Sequence, residues 1–329
     1  MVLRKRLISI LTCAALLVCL FCALSPTRAA ADPMFSGMPD STPDPRSAHF
    51  SANRPFKSVK DPDKGPWIYK DLMLSVRVDA VKGRGGVYFI ADVYTRGGQL
   101  PYGGFANKDA SARKTLLPYK IARQYGAVLA ITGDYVTHRG NPKGVMIRSG
   151  KVYHDKAQAP TMAILPDGEL RVYAPGKVKA ADLLKLGVKD AYAFGPILVQ
   201  DGKLAPGLNK HRLRTGNFRA SIGMVEKGHY ILITTKGSYT LTDLAKMYLA
   251  KGCTVAYNLD GGHSATMVFM GEQLYQSGRG QDNLPQRPLP DALMFGRSAY
   301  LPAPDDPVYC NGVRINKQYK PEPFEGLLQ

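Results

Sequence analysis

Residues 254–270 read TVAYNLDGGHSATMVFM. Two apolar runs flank a polar Asp-Gly-Gly-His-Ser turn, so the stretch reads strand, sharp turn, strand. Period-two alternation turns Val255, Tyr257 and Leu259 toward a core. Asn258 and Asp260 then share the opposite face at the strand's end. Gly261 and Gly262 permit positive φ and let a ligand approach backbone N–H groups. His263, Ser264 and Thr266 add donors. A carboxylate, an amide, a glycine nest and hydroxyls therefore converge on one turn. The same residues also suit a plain hairpin closed by an Asx turn. A serine nucleophile is excluded, because G-x-S-x-G needs a helix after the serine, and here ATMVFM reads as a strand.

The neighbouring sequence follows the same β pattern. GGVYFIADVYT (85–95) alternates, with Val87, Phe89, Ala91 and Val93 on one face. Ser149-Gly150, Asp167-Gly168, Asp201-Gly202 and Lys227-Gly228 separate apolar runs and predict hairpins. Helices are expected over 118–124, 180–186 and 241–250, closed by Gly126, Gly187 and Gly252. Thr240 and Asp243 form a capping-box variant for the third. Its buried stripe is Leu241, Leu244, Ala245, Tyr248 and Leu249. No internal repeat is found. The fold class is α+β: mostly antiparallel β-sheet with a few covering helices, in a single catalytic domain.

Composition sets the outer limits. The chain has 329 residues, 44 Lys+Arg, 26 Asp+Glu, 45% hydrophobic and 21% charged residues. That is ordinary globular composition and excludes wholesale disorder. Arg4, Lys5 and Arg6 precede an apolar run to Leu24, followed by Ala29-Ala30-Ala31. This is the pattern of a secretory signal peptide over 1–31, cleaved after Ala31 or Ala29, with an uncleaved membrane anchor as the alternative. Residues 32–65 read as an extended Pro/Ser/Asp linker, 66–300 as the domain and 301–329 as a C-terminal tail. Secreted, periplasmic or cell-envelope localisation follows, with no stable membrane insertion after cleavage. Cys253 and Cys310 then remain, either as one disulfide or as two small core residues.

The charge of +18 is unevenly distributed. The signal segment carries +4, the linker is neutral and the tail is −1, which leaves +15 on residues 66–300. The positive field belongs to the folded body rather than to a basic arm and predicts an anionic partner. Nucleic acid is not expected, since no recognised binding motif is present.

Three further constellations carry chemistry. Thr132-Gly133-Asp134-Tyr135 places a carboxylate in a glycine turn after the apolar strand 127–132, with His138, Arg139 and Lys143 downstream. Asn217-Phe-Arg-Ala-Ser-Ile-Gly223 sends Arg219 into a strand, and arginine's planar fork suits phosphate. Arg287-Pro288 is followed by Asp291. The body has only three glutamates (Glu169, Glu226, Glu272), all at predicted turns, so acid–base work falls on Asp134, Asp260 and Asp291. No cofactor is required by these residues. Carboxylates in glycine turns admit Ca²⁺, but no D-x-D-x-D-G loop is present.

AITGDY (130–135), GVMIRSG (144–150), FGPILV (194–199), RASIG (219–223), NLDGGHSATM (258–267) and RPLPDAL (287–293), in this order, resemble the phosphodiester glycosidase family. The resemblance spans about 85–296. Thr132 stands where the family usually has Asn, Ala220 and Ser221 where it has Thr and Ala, and His263 where it has a third Gly. The resemblance implies hydrolysis of a sugar-1-phosphodiester between the anomeric carbon and oxygen. It implies catalytic roles for Asp260, Asp134 and Arg219, while His263, a departure from the family pattern, is a fourth catalytic candidate as a gained proton donor or phosphate contact. Substrate would be held by Gly133, Lys143, Asn258, Gly261, Gly262, Ser264, Thr266, Arg287 and Asp291. The partner it suggests is an anionic phosphorylated glycan or cell-wall polymer. The rival expectation is a non-catalytic binding module for such a polysaccharide.

Overall fold

The computed structural model describes residues 47–51, 54–61, 64–106, 115–134, 144–156, 158–275, 287–303, 306, 309–310, 313–314 and 324–328. The expected signal segment, and with it Lys143, His138 and Arg139, lies outside the described residues. In chain order the strands begin with β1 (Phe56–Val59), β2 (Trp67–Lys70), β3 (Leu74–Gly83), β4 (Gly86–Thr95) and β5 (Tyr102–Phe105). Helix α1 (Pro118–Tyr125) leads to β6 (Leu129–Thr132), β7 (Val145–Arg148), β8 (Lys151–Asp155), β9 (Thr161–Ile164) and β10 (Leu170–Tyr173). After α2 (Ala180–Lys185) come β11 (Asp190–Tyr192), β12 (Ile197–Gln200), β13 (Lys203–Leu204), β14 (Ala220–Glu226) and β15 (His229–Thr235). Helix α3 (Leu241–Ala250) precedes β16 (Val255–Leu259), β17 (Met267–Phe269), β18 (Glu272–Gln273) and β19 (Asp291–Phe295). The last strands are β20 (Tyr309–Cys310), β21 (Val313–Arg314) and β22 (Phe324–Leu327).

Three sheets share one core. The first has ten strands in the order β13-β12-β16-β14-β15-β4-β3-β2-β1-β22. Two others have five each, β10-β9-β11-β7-β8 and β18-β17-β6-β19-β5, and β20 and β21 form a separate two-stranded sheet. Every strand pairing among the described residues is antiparallel. Val76, Phe89, Ile222 and Tyr257 of the long sheet meet Ile131, Phe269 and Leu293 of one short sheet and Met162, Ile164 and Tyr192 of the other. One helix packs on the second face of each of these sheets. Leu241, Leu244 and Tyr248 of α3 pack on Ile90, Ile231 and Ile233. Ile121 and Ala122 of α1 pack with Ala130 and Val268, and Leu183 of α2 with Val145 and Ile147.

The local signals act as expected. Ser149-Gly150 and Asp201-Gly202 have φ of 50°, 77°, 52° and 67°, as a type I′ turn requires at both central positions. Thr240 Oγ1 accepts from the Asp243 N–H at 3.1 Å, and Asp243 Oδ2 accepts from the Thr240 N–H at 3.1 Å.

Four expectations are corrected. Val87 is 37% exposed, because it sits at the turn end of the β3–β4 hairpin, beyond the core contacts of Phe89, Ala91 and Val93. Leu249 is only half-buried on the flank of α3. The stretch read as linker contributes β1, which pairs with β2 and with β22 from the stretch read as tail. Unmet backbone groups at a sheet edge draw in both terminal segments. Finally, the two strands flanking Asp260-Gly-Gly are not a hairpin. β16 pairs with β12 and β14 in the long sheet, whereas β17 pairs with β6 and β18 in a short one. The turn is a crossing between sheets.

Candidate active site

The crossing is stitched on both sides. The Asp260 N–H donates to the Gly133 carbonyl at 3.1 Å, and the Gly262 N–H donates to the Phe218 carbonyl at 2.8 Å. Gly262–Ser264 form a single 3₁₀ turn, in which the Ala265 N–H donates to Gly262 O at 3.1 Å. Thr132 Oγ1 donates to Ser264 O at 2.5 Å. The two glycines serve different ends. Gly262 has φ of 60°, the left-handed region. Gly261 is extended, but a Cβ there would lie 2.6 Å from Phe218 O. The expectation that both N–H groups are open to a ligand is corrected. That of Gly262 is committed to Phe218, and that of Gly261 bonds to the Asp260 carboxyl.

Asp260 is 7% exposed, and its pKa is pushed up to about 6. Burial is the main cause. The Ser264 hydroxyl, the charge of Arg287 and the Gly261 N–H oppose it, and the nearby Asp134 carboxylate pushes further up. Arg287 is exposed, and its Nη1 lies 3.5 Å from Ser264 Oγ. Beside this turn lies a cleft of about 260 Å³ lined by Gly216, Asn217, Phe218, Ser238, Gly262 and His263.

Behind Asp260 sits a charged cluster buried where β6, β19 and β7 end. Arg148 Nη2 donates to Asp134 Oδ2 at 3.0 Å and to Asp291 Oδ2 at 2.5 Å. Arg148 Nη1 donates to the carbonyls of Ile147 and Ala191, and its guanidinium stacks 3.8 Å over the Tyr192 ring. Asp134 also accepts from the Ala193 N–H at 3.0 Å. Burial raises the pKa of Asp134, against the pull of Arg148. Asp291 is pushed up to about 7, by burial first, against the pull of Arg148, with Asp134 adding to the rise. Burial works against the Arg148 charge, but Tyr192, Asp291, Asp134 and Asp190 outweigh it and raise its pKa. Close approach is needed here: a Cβ at Gly133 would lie 2.6 Å from Asp291 Oδ2.

The site residues expected from sequence thus divide. Asp260, Gly261, Gly262, His263, Ser264 and Arg287 gather at or beside the cleft. Asn258 Nδ2 donates to Gly195 O at 2.8 Å, while its Oδ1 and the Thr266 hydroxyl are buried without a hydrogen-bond partner. Asp134, only 1% exposed and with both oxygens taken, lies behind the cleft with Gly133 and Asp291. Asp134, second to Asp260 among the expected catalytic acids, is thus a buried acid rather than one facing the cleft. Arg219 is corrected as well. Its Nε donates to Tyr239 O at 3.0 Å and its Nη2 to Leu213 O at 2.7 Å and Thr215 O at 2.5 Å. Burial lowers its pKa to about 10. Sequence reasoning missed Arg148 and Asp190 as members of the cluster. The available signal was an arginine closing the apolar run Val145-Met-Ile-Arg148. Cys253 is a free, buried thiol. Among the described residues no group of three His, Cys, Asp or Glu side chains is placed to hold a metal ion, and no helix is long and apolar enough to cross a membrane.

This arrangement offers a titratable carboxylate beside a cleft, its charged form favoured by a hydroxyl and a cation and opposed by burial and a second, buried acid. Solved structures share the fold. The zebrafish N-acetylglucosamine-1-phosphodiester alpha-N-acetylglucosaminidase catalytic domain, auto-inhibited by its pro-peptide, superposes with a TM-score of 0.56. It is 18% identical over 74% of this chain and 87% of that one. A hypothetical protein from Synechocystis matches with a TM-score of 0.50 and 14% identity, over 68% of this chain and 62% of that one. Among curated sequences, the SPbeta prophage-derived uncharacterized protein YomE of Bacillus subtilis (strain 168) is 29% identical over 175 residues. That alignment takes in 49% of this chain and only 27% of YomE. Residues 125–296, which carry β6, the crossing turn, Arg148 and Asp291, match the family described as phosphodiester glycosidase. By that match across half of its length, the chain belongs to the phosphodiester glycosidase family.

Proposed function

We propose that the chain hydrolyses a sugar-1-phosphodiester of a phosphate-bearing glycan or cell-envelope polymer, as an exported enzyme, with Asp260 as the reacting carboxylate. The observation that carries this is Asp260 itself: a buried acid with a pKa near 6, beside a cleft and within reach of Arg287. A carboxylate tuned toward neutrality suits attack on the anomeric carbon, as nucleophile or as base for water. The C1–O bond breaks with its electron pair leaving on the phosphate oxygen. A phosphate monoester is a good leaving group, so Asp134 need not supply a proton from behind the cleft. Arg287 and His263 would meet the charge that develops on the phosphate. The buried cluster would hold the Asp260 turn in place through Gly133.

A second reading, a non-catalytic binder of anionic cell-wall polysaccharide, draws support from Arg219, whose Nε and Nη2 are spent on carbonyls. Turnover of a sugar-1-phosphodiester such as methyl N-acetylglucosaminyl phosphate separates the two. Release of free sugar by the purified chain, lost on Asp260→Asn, is expected. Binding without release in the wild type would leave only the second reading.

A further inference from the structure

The connection between β13 and β14 carries a concentrated charge that the chemistry above does not use. Residues 205–218 read APGLNKHRLRTGNF, with Lys210, His211, Arg212 and Arg214 and no carboxylate. Lys210, Arg212 and Arg214 are exposed. Among the described residues none of the three makes an ion pair or a side-chain hydrogen bond.

The loop is nevertheless fixed. Leu208 is buried in the cluster beneath α3. The Lys210 N–H donates to Gly207 O at 3.0 Å and the Arg214 N–H to His211 O at 2.9 Å. The Leu213 N–H donates to His211 Nδ1 at 3.2 Å. From inside, the Arg219 guanidinium binds the carbonyls of Leu213 and Thr215. Asn217 then exchanges backbone hydrogen bonds with Tyr239 at 3.2 and 3.1 Å. The loop runs straight into Gly216 and Asn217, which line the cleft. Three cations that meet no counter-ion among the described residues thus stand on a hydrogen-bonded loop that leads into the cleft wall. Like charges so displayed repel one another, and a ligand carrying several anions relieves that repulsion.

We infer that this loop is a specificity element that takes successive phosphates of a repeating phosphodiester chain continuing from the bond in the cleft. The inference rests on the reading of the cleft given above. It adds that the substrate is a polymer with several phosphodiesters, and that Arg219 is a positioning residue that shapes the loop rather than a phosphate ligand. A single sugar phosphodiester would fill the cleft and leave the loop unused.

The test uses binding, so that it does not depend on turnover. Poly(glycerol phosphate) is titrated against the full chain over a salt series, with a single-stranded oligodeoxynucleotide of equal charge in parallel. The loop variant Lys210→Glu/Arg212→Glu/Arg214→Glu is compared with a charge-matched variant of another sheet region, Lys177→Glu/Lys185→Glu/Lys189→Glu. The loop variant is expected to lose at least about tenfold in affinity for poly(glycerol phosphate), and its slope against log salt to fall by about two. The charge-matched variant should lose far less. Single Lys210→Gln, Arg212→Gln and Arg214→Gln variants should each lower the slope by somewhat under about one, which covers failure of the triple variant to fold. Three results overturn the inference: no wild-type binding of poly(glycerol phosphate), an equal loss in the charge-matched variant, or equally tight binding of the oligonucleotide. Polymer binding that depends on the loop, without turnover of any sugar phosphodiester, would uphold the loop and overturn the reading of the cleft.

Discussion

The main-chain N–H of Asp134 donates to Oδ1 of Asp291 at 2.9 Å, joining two buried acids, one just past the end of β6 and one at the start of the neighbouring β19. Both also lean on Arg148, so one cation serves two carboxylates with no solvent to help. Breaking a buried pair by removing one partner is costly, because the remaining charge stays buried. Arg148→Met is therefore expected to destabilise the fold by about 3–5 kcal/mol near pH 8. The loss should shrink toward pH 5, where Asp291, already pushed up to about 7, takes a proton. Denaturant unfolding at both pH values reads this directly. Arg148→Lys should rescue little, since an ammonium cannot span both acids while stacking on Tyr192.

Gly261 and Gly262 are neighbours with different needs, and substitutions should separate them. Gly262→Ala places a side chain at a φ of 60° but meets nothing nearer than 3.7 Å. Its cost should be about 1–2 kcal/mol of backbone strain, with the turn retained. Gly261→Ala drives a methyl into the Phe218 carbonyl, which is backbone and cannot swing aside. The turn carrying Asp260 must move, so turnover of a sugar phosphodiester should fall much further in Gly261→Ala than in Gly262→Ala. Equal losses would mean that the close approach does not position Asp260.

Much of this was legible in the sequence. Alternation in 85–95, the two-residue turns at 149–150 and 201–202 and the Thr240–Asp243 box act within a few residues, so they survive the loss of tertiary context. The convergence of Asp260, Gly261 and Ser264 was visible for the same reason. What was hidden depends on which sheet a strand joins. Strands 255–259 and 267–269 look like hairpin partners until Met267–Phe269 pairs with Leu129–Ile131 instead. Arg148 looked like one more basic residue on a hairpin, because its acids lie 14 and 143 residues away in the chain. Arg219 suggested phosphate by its type and by its place in the RASIG segment. The carbonyls it serves, Leu213 and Thr215, belong to a loop with no local pattern.

Arg219 as a loop anchor predicts a different phenotype from Arg219 as a phosphate ligand. Arg219→Met removes the donor for three carbonyls, so residues 206–217 should exchange amide hydrogens faster and become sensitive to protease. Arg219→Lys should behave similarly, since one ammonium cannot follow Nε and Nη2 to separate acceptors. Hydrogen exchange that is unchanged in the loop but accompanied by lost turnover would return Arg219 to the substrate.

Asp260 links activity and stability with opposite signs. Its pKa is raised to about 6 in the fold, above the ordinary carboxylate value of the unfolded chain. The folded state therefore holds the proton more tightly, and stability falls as pH climbs from about 4 through about 6. A shift of roughly two units corresponds to about 3 kcal/mol sacrificed at neutral pH. Activity needs the ionised form, so kcat/KM should rise through the same window with an apparent pKa near 6. Asp260→Asn keeps the shape and removes the charge. It should unfold at a higher temperature than the wild type at pH 8, gain nothing at pH 4, and release no sugar. A flat pH–rate profile between pH 5 and 7, or an Asp260→Asn protein less stable at pH 8, would remove Asp260 from the reacting position.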